Sequence, residues 1–200
     1  MFDETTGTEG TENTEGTDNN GAGPDDTLRR AVAEANTAVA VVRDRIGGNP
    51  GTTLVLAVIA GLHASVSNVG DSRGYLIRGT AVTQITRDHS WAAEQVRAGL
   101  LDAEAARHHP RRNLIERAVM GEPVEADIFE VDAVPGDVLL LCSDGLWEPL
   151  ADADLGAIIA APDPLGVALT RACDAALAGG GTDNVTVVAL RWSQGAGEAA

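Results

Sequence analysis

The sequence predicts an α+β domain with antiparallel sheets, on three observations. The first is element order: a long helix, a run of strands, mixed helices, two strands, two helices and a last strand. That order is segregated rather than alternating β-α-β. The second is that the strands between Thr52 and Thr86 follow one another through short turns, whereas parallel strands need long crossovers. The third is Val138–Cys142, an unbroken apolar run suited to a strand covered on both faces.

Residues 1–23 hold six acids and no base, with almost nothing apolar after Phe2. Ordering them would not offset the entropy lost, so they read as a disordered acidic tail. Asp25 or Asp26 then offers an N-cap. Leu28, Val32, Ala35, Val39, Val42 and Ile46 follow at helical spacing and form one apolar stripe, a core face. Gly47-Gly48-Asn49-Pro50-Gly51 ends that helix.

From Thr52 the period changes. Thr52–Ala60 and Leu62–Val69 read as strands joined at Gly61, and Tyr75–Arg78 with Val82–Thr86 as a hairpin. His63 lies among small residues and is expected to be a surface or packed histidine. Asp88–Gly121 reads as helical over Trp91–Leu100, Asp102–His108 and Arg111–Met120. Its Arg97, Arg107, Arg111, Arg112 and Arg117 suit either an approach surface for phosphate groups or helix faces balanced by Glu94, Glu104 and Glu116. His108 and His109 are adjacent, so their side chains diverge on a helix and make a poor metal pair. Ala126–Val131 and Val138–Cys142 are the next strands, Asp152–Ala160 and Pro164–Ala178 helices, and Asn184–Trp192 the last strand. The domain is therefore expected over 24–192, with 193–200 a short tail.

Two hundred residues with 44 % apolar content can bury a core, and with aromatics at 3 % that core must be aliphatic. Net charge is −16 and every basic residue is an arginine. Such a chain is not expected to bind nucleic acid or anionic membranes. Cys142 and Cys173 lack zinc-ligand spacing and read as small thiols in a reducing compartment. With no membrane-length apolar run and no basic-then-apolar leader pattern, the expectation is a cytoplasmic chain.

Three aspartates carry the chemistry. Asp144 follows the apolar strand in Ser143-Asp144-Gly145-Leu146-Trp147 and is expected on a glycine-containing loop. Asp71 lies in Gly70-Asp71-Ser72-Arg73-Gly74, and Asp183 in Gly181-Thr182-Asp183-Asn184 ahead of the last strand. Each stands beside a glycine turn at a strand terminus, where a single aspartate is ordinarily a turn former. Together they suggest hard oxygen ligands for Mg²⁺ or Mn²⁺. A cation would relieve the mutual repulsion of such carboxylates and could acidify a bound water. No catalytic side chain beyond these ligands stands out.

Four stretches in order, Asn68–Arg78 (NVGDSRGYLIR), Thr86–Ser90 (TRDHS), Gly136–Trp147 (GDVLLLCSDGLW) and Gly180–Val188 (GGTDNVTVV), resemble the metal-dependent protein phosphatase family, the type 2C or PPM phosphatases, in its bacterial form. Gly51–Val55 also resembles the family's strand after its first long helix. The resemblance covers about residues 26–192. It implies a four-layer α-β-β-α sandwich with a dinuclear Mg²⁺/Mn²⁺ site at one end. It also implies hydrolysis of phosphoserine and phosphothreonine by a metal-activated water, on phosphoproteins made by a Ser/Thr kinase. Asp144 and Asp183 fall on metal-ligand positions of the family. Asp71 with Asp144 falls on a third, weaker site, and 88–121 resembles the flap beside the active site.

The sequence departs from the family at its start. Neither the arginine-bearing first strand nor the D-G-x-G-G element, whose aspartate bridges the two metals, has a counterpart ahead of the first helix. The expectation is therefore a sandwich lacking its first strands, with unpaired edges and an incomplete metal site. Two readings of function follow: a serine/threonine phosphatase, or a catalytically inactive binding or regulatory module of the same family.

Overall fold

The computed structural model describes residues 23–193. The acidic stretch and the last residues, expected as tails, lie outside them apart from Gly23 and Ser193. In chain order the elements are α1 (Pro24–Ile46), β1 (Leu54–Ala60), β2 (His63–Val69), β3 (Arg73–Arg78) and β4 (Ala81–Gln84). Then come α2 (Trp91–Arg97), α3 (Ala103–His108), β5 (Asp127–Asp132), β6 (Val138–Cys142) and α4 (Asp144–Trp147). α5 (Asp152–Ala160), α6 (Leu165–Ala178) and β7 (Val187–Arg191) complete the order.

The strands form two sheets, β1-β2-β5 and β4-β3-β6-β7, with every pairing antiparallel. Strand alternation sorts their side chains into three cores. Tyr75, Ile77, Val138, Leu140 and Cys142 pack against Leu155 and Ile159 of α5 and Ala168, Ala172 and Ala176 of α6. The opposite faces of β3 and β6, through Leu76, Leu139 and Leu141, meet Ala64, Val66 and Val131 between the sheets. Val32 and Val39 of α1 cover Leu54, Leu56 and Val69 on the far side. The result is helix, sheet, sheet, helices, the four layers that the resemblance implies. Val138–Cys142 is covered on both faces, as its apolar run requires.

Three expectations need correction. The stripe on α1 buries Leu28 and Val32 but leaves Val42 44 % and Ile46 72 % exposed. A helix of 23 residues is about 34 Å long, whereas seven-residue strands span only about 23 Å. The helix outruns the sheet beneath it. Its N-terminus also differs, with Gly23 as N-cap, Pro24 opening the helix, and Asp25 and Asp26 in the first turn.

Arg111–Met120 is not helical. Its backbone is committed elsewhere: the Trp91 N–H donates to the Leu114 carbonyl, Glu116 N–H to the His89 carbonyl, and Thr52 and Val119 exchange two hydrogen bonds. Those partners are distant in sequence and override the helical propensity of the segment. α1 anchors the end of this stretch, since Asn36 Oδ1 accepts from Gly121 N–H and Arg43 pairs with Glu122.

β1 and β7 are outer strands, and among the described residues neither has a partner on its second side. Ile59, Val188 and Leu190 along them are exposed.

Candidate metal centre

The register brings the three predicted aspartates to one end of the sandwich. Cys142, the last residue of β6, pairs with Arg73 on one side and Val187 on the other. The turn before β3, the start of α4 and the approach to β7 therefore meet there, carrying Asp71, Asp144 and Asp183. Asp144 is not on an open loop: it is the first residue of the one-turn helix α4, with Ser143 at the N-cap position but its hydroxyl turned away from the helix.

Ser143 joins two of these segments. Its N–H donates to the Thr186 carbonyl, its hydroxyl donates to the Asn184 carbonyl, and that hydroxyl accepts from Thr186 N–H. Asp144 and Asp183 also stiffen their own turns: Asp144 Oδ1 accepts from Gly145 N–H at 2.9 Å, and Asp183 Oδ1 from Asn184 N–H at 2.7 Å.

Asp71 is buried, Asp144 half-buried and Asp183 exposed. Burial, and next the charge of Asp144, push the Asp71 carboxyl up to about 6. Burial also raises Asp144, with the charges of Asp183 and Glu148 adding to it. The three carboxylates are thus electrostatically linked. Among the described residues no three His, Cys, Asp or Glu side chains gather closely enough to cage an ion. The donor set fits a Mg²⁺ or Mn²⁺ site held by one or two carboxylates and otherwise by water, a common arrangement for Mg²⁺.

Several groups packed around the Asp71 turn were not singled out from the sequence. The Arg73 guanidinium grips both oxygens of Asp88, donates to Tyr75 Oη and lies 3.4 Å from the centre of the Trp147 ring. Burial alone would lower the Arg73 pKa, but Asp88 more than offsets it and the net direction is upward. The Trp147 indole N–H donates to the Asp71 carbonyl at 3.0 Å. Asp88 and His89 are both buried. Asp88, four residues beyond the end of β4 and without a neighbouring glycine, did not carry the glycine-turn signal of the three predicted aspartates.

The remaining histidines and arginines are mostly satisfied locally. His63 pairs on the surface with Glu130 and Asp132. His108 pairs with Glu104, while His109 stacks on Trp91, so the two diverge as expected. Arg97 pairs with Glu94, but Arg112 takes Glu148 and Arg117 takes Asp127. The balance expected from Glu104 and Glu116 is supplied by other acids. Cys142 is buried, its thiol pushed up to about 12 by burial, and Cys173 is half-buried. No helix among the described residues is long and apolar enough to cross a membrane.

The family model described as protein phosphatase 2C matches residues 10–97. A serine/threonine protein phosphatase named PstP, from Mycobacterium tuberculosis, is 40 % identical over 163 residues, covering 80 % of this chain and 32 % of that protein. The chain thus spans about a third of the length of that curated relative. The crystal structure of the M. tuberculosis serine/threonine phosphatase PstP/Ppp superposes with a TM-score of 0.81 at 37 % identity, covering 88 % of this chain and 76 % of that one. A structure of the catalytic domain of PstP in complex with two manganese ions is 36 % identical, with a TM-score of 0.76, covering 84 % and 71 %. Four layers in this order, three linked aspartates at one end and this degree of identity lead to one conclusion: the chain belongs to the protein phosphatase 2C family.

Proposed function

We propose that residues 24–192 form a metal-dependent protein serine/threonine phosphatase domain. In it Asp144 holds Mn²⁺ or Mg²⁺ together with Asp183 on one side and with Asp71 on the other, each ion taking no more than two of these carboxylates and otherwise water. The observation that carries this reading is the buried Asp71 carboxyl, raised by its own burial and then by the charge of Asp144 at the open end of the sandwich. A carboxylate buried beside a second one at the end where β3, β6 and β7 meet has a reason to be there if a divalent cation offsets its charge. Bound there, the cation would supply an acidified water and charge stabilisation for a phosphoryl group. Asp71 and Asp144 would present their oxygens from turns that Trp147 and Ser143 hold in place. Asp183, exposed at the rim, would complete the set from the side of β7.

The names of the relatives support phosphorylated serine and threonine side chains as substrates. A serine/threonine kinase would then be the source of those phosphoproteins. Two free cysteines suit a cytoplasmic site of action.

One observation favours a second reading, a family member that binds without turnover: no three metal-ligating side chains cage an ion among the described residues. A phosphatase assay separates the two. The chain is assayed on p-nitrophenyl phosphate and on a phosphothreonine peptide, with Mn²⁺ or with EDTA, beside Asp144→Asn. Turnover that needs Mn²⁺ and disappears in the variant supports the enzyme. A folded chain with no turnover above the EDTA control leaves the binding module.

A further inference from the structure

We propose that His89 is a positioning residue for Asp71, holding the turn before β3 through the Nδ1 edge of its ring. The proposal rests on the reading of Asp71 as a metal-binding carboxylate. Its basis is the way one residue grips Gly70. The His89 backbone N–H donates to the Gly70 carbonyl at 2.9 Å, and His89 Nδ1 accepts from the Gly70 N–H at 3.1 Å. Both backbone groups of the residue before Asp71 are thus taken by a single partner. Asn68 Nδ2 adds a second donor to the same carbonyl at 3.0 Å.

Gly70 needs such a grip. Its φ of +111° lies where L side chains rarely go, and a Cβ there would stand 2.4 Å from Thr53 Cγ2. The turn is therefore held by hydrogen bonds at a position where no side chain could anchor it.

The ring itself is fixed from behind. Nε2 has two neighbours, Asp127 Oδ2 on β5 at 3.3 Å and Arg117 Nη1 at 3.2 Å. With Nδ1 accepting, the ring proton belongs on Nε2 and goes to Asp127, and the donor Arg117 Nη1 makes no hydrogen bond to the ring. Asp127 Oδ1 in turn accepts from Arg117 at 2.7 Å. His89 is 5 % exposed and opens the 88–121 segment, while Arg117 lies near its close. One imidazole therefore ties the Asp71 turn to both ends of that segment and to β5. Asp71 itself reports on the turn, because its carbonyl receives the Trp147 indole N–H.

Two substitutions divide the ring's functions. His89→Asn places an amide oxygen near the position of Nδ1 and loses the Nε2 donor, whereas His89→Gln keeps an N–H near Nε2 and loses the acceptor. Hydrogen exchange at the Gly70 amide and the Trp147 indole is followed by NMR in the metal-free chain, and Mn²⁺ affinity by electron paramagnetic resonance. The Gln variant is expected to exchange about tenfold faster at both sites and to bind Mn²⁺ about tenfold more weakly. The Asn variant is expected to stay within about twofold of the parent in both. A Gln variant that exchanges like the parent overturns the proposal, as does an Asn variant that fails while Gln succeeds. In the parent chain, ¹⁵N shifts showing the ring proton on Nδ1 overturn it without any substitution. A parent that takes up no Mn²⁺ overturns the metal reading alone, and the exchange rates still decide the role of His89.

Discussion

The Asn184 carbonyl stands so close to Gly145 that a Cβ added there would lie 2.4 Å from its oxygen. This contact, with the bonds through Ser143, sets the Asp144 turn against the Asp183 turn. Gly145→Ala is expected to push the two apart, because the obstacle is backbone rather than a flexible side-chain end. The variant should lose about 1–3 kcal/mol of stability as an overpacked site and most of its Mn²⁺ affinity. Urea denaturation and Mn²⁺ titration check the two effects separately.

Asp144→Asn is expected to act in opposite directions with and without metal. In the metal-free chain it removes a half-buried charge whose carboxyl is raised by burial and by Asp183, so the melting temperature should rise. Mn²⁺ raises the melting temperature of any chain whose folded state binds it, and that increment should disappear in the variant. A variant still stabilised by Mn²⁺ as strongly as the parent would remove Asp144 from the ligand set.

Arg73 and Asp88 form a buried pair, with side chains 15 % and 8 % exposed. Arg73→Met leaves Asp88 charged and without its main partner, at a cost of about 3–5 kcal/mol. Adding Asp88→Asn should recover part of that loss, since the stranded charge is then gone. A double-mutant cycle in urea measures both; losses that simply add would show that the pair is not coupled.

His63 gives the metal-free chain a pH dependence of known sign. Its pKa is raised, first by the hydrogen bond to Asp132 and then by Glu130. A raised histidine contributes stability that is complete below about 6.5, its unfolded value, and is lost as pH rises through the higher folded value. Melting temperatures should therefore fall across that window, and less steeply in His63→Gln or in high salt. An identical slope in the variant would assign the effect to another group.

Burial separates two aliphatic strand residues. Leu140 is fully buried under α5 and α6, whereas Val188 on β7 is 64 % exposed. Leu140→Ala should cost about 2–5 kcal/mol, and Val188→Thr no more than about 0.5 kcal/mol. A large loss in the Val188 variant would mean that this open strand is covered in solution.

The amino-acid sequence by itself determined the element types, because periodicity is a local property. An apolar run at 138–142 and helical spacing at 24–46 and 165–178 need no partner to be recognised. It also singled out Asp71, Asp144 and Asp183 as candidates, since glycine turns at strand ends mark where a sheet presents polar groups. Tertiary structure decided what depends on distant partners. Arg111–Met120 has helical propensity, yet its backbone pairs with His89, Trp91 and Thr52. The far end of the α1 stripe is bare because the sheet is shorter than the helix. The bonds of Trp147 to Asp71 and of His89 to Gly70 were invisible beforehand for the same reason. A hydrogen bond between residues 19 or 76 positions apart leaves no period in a sequence, and only folding brings its two ends together.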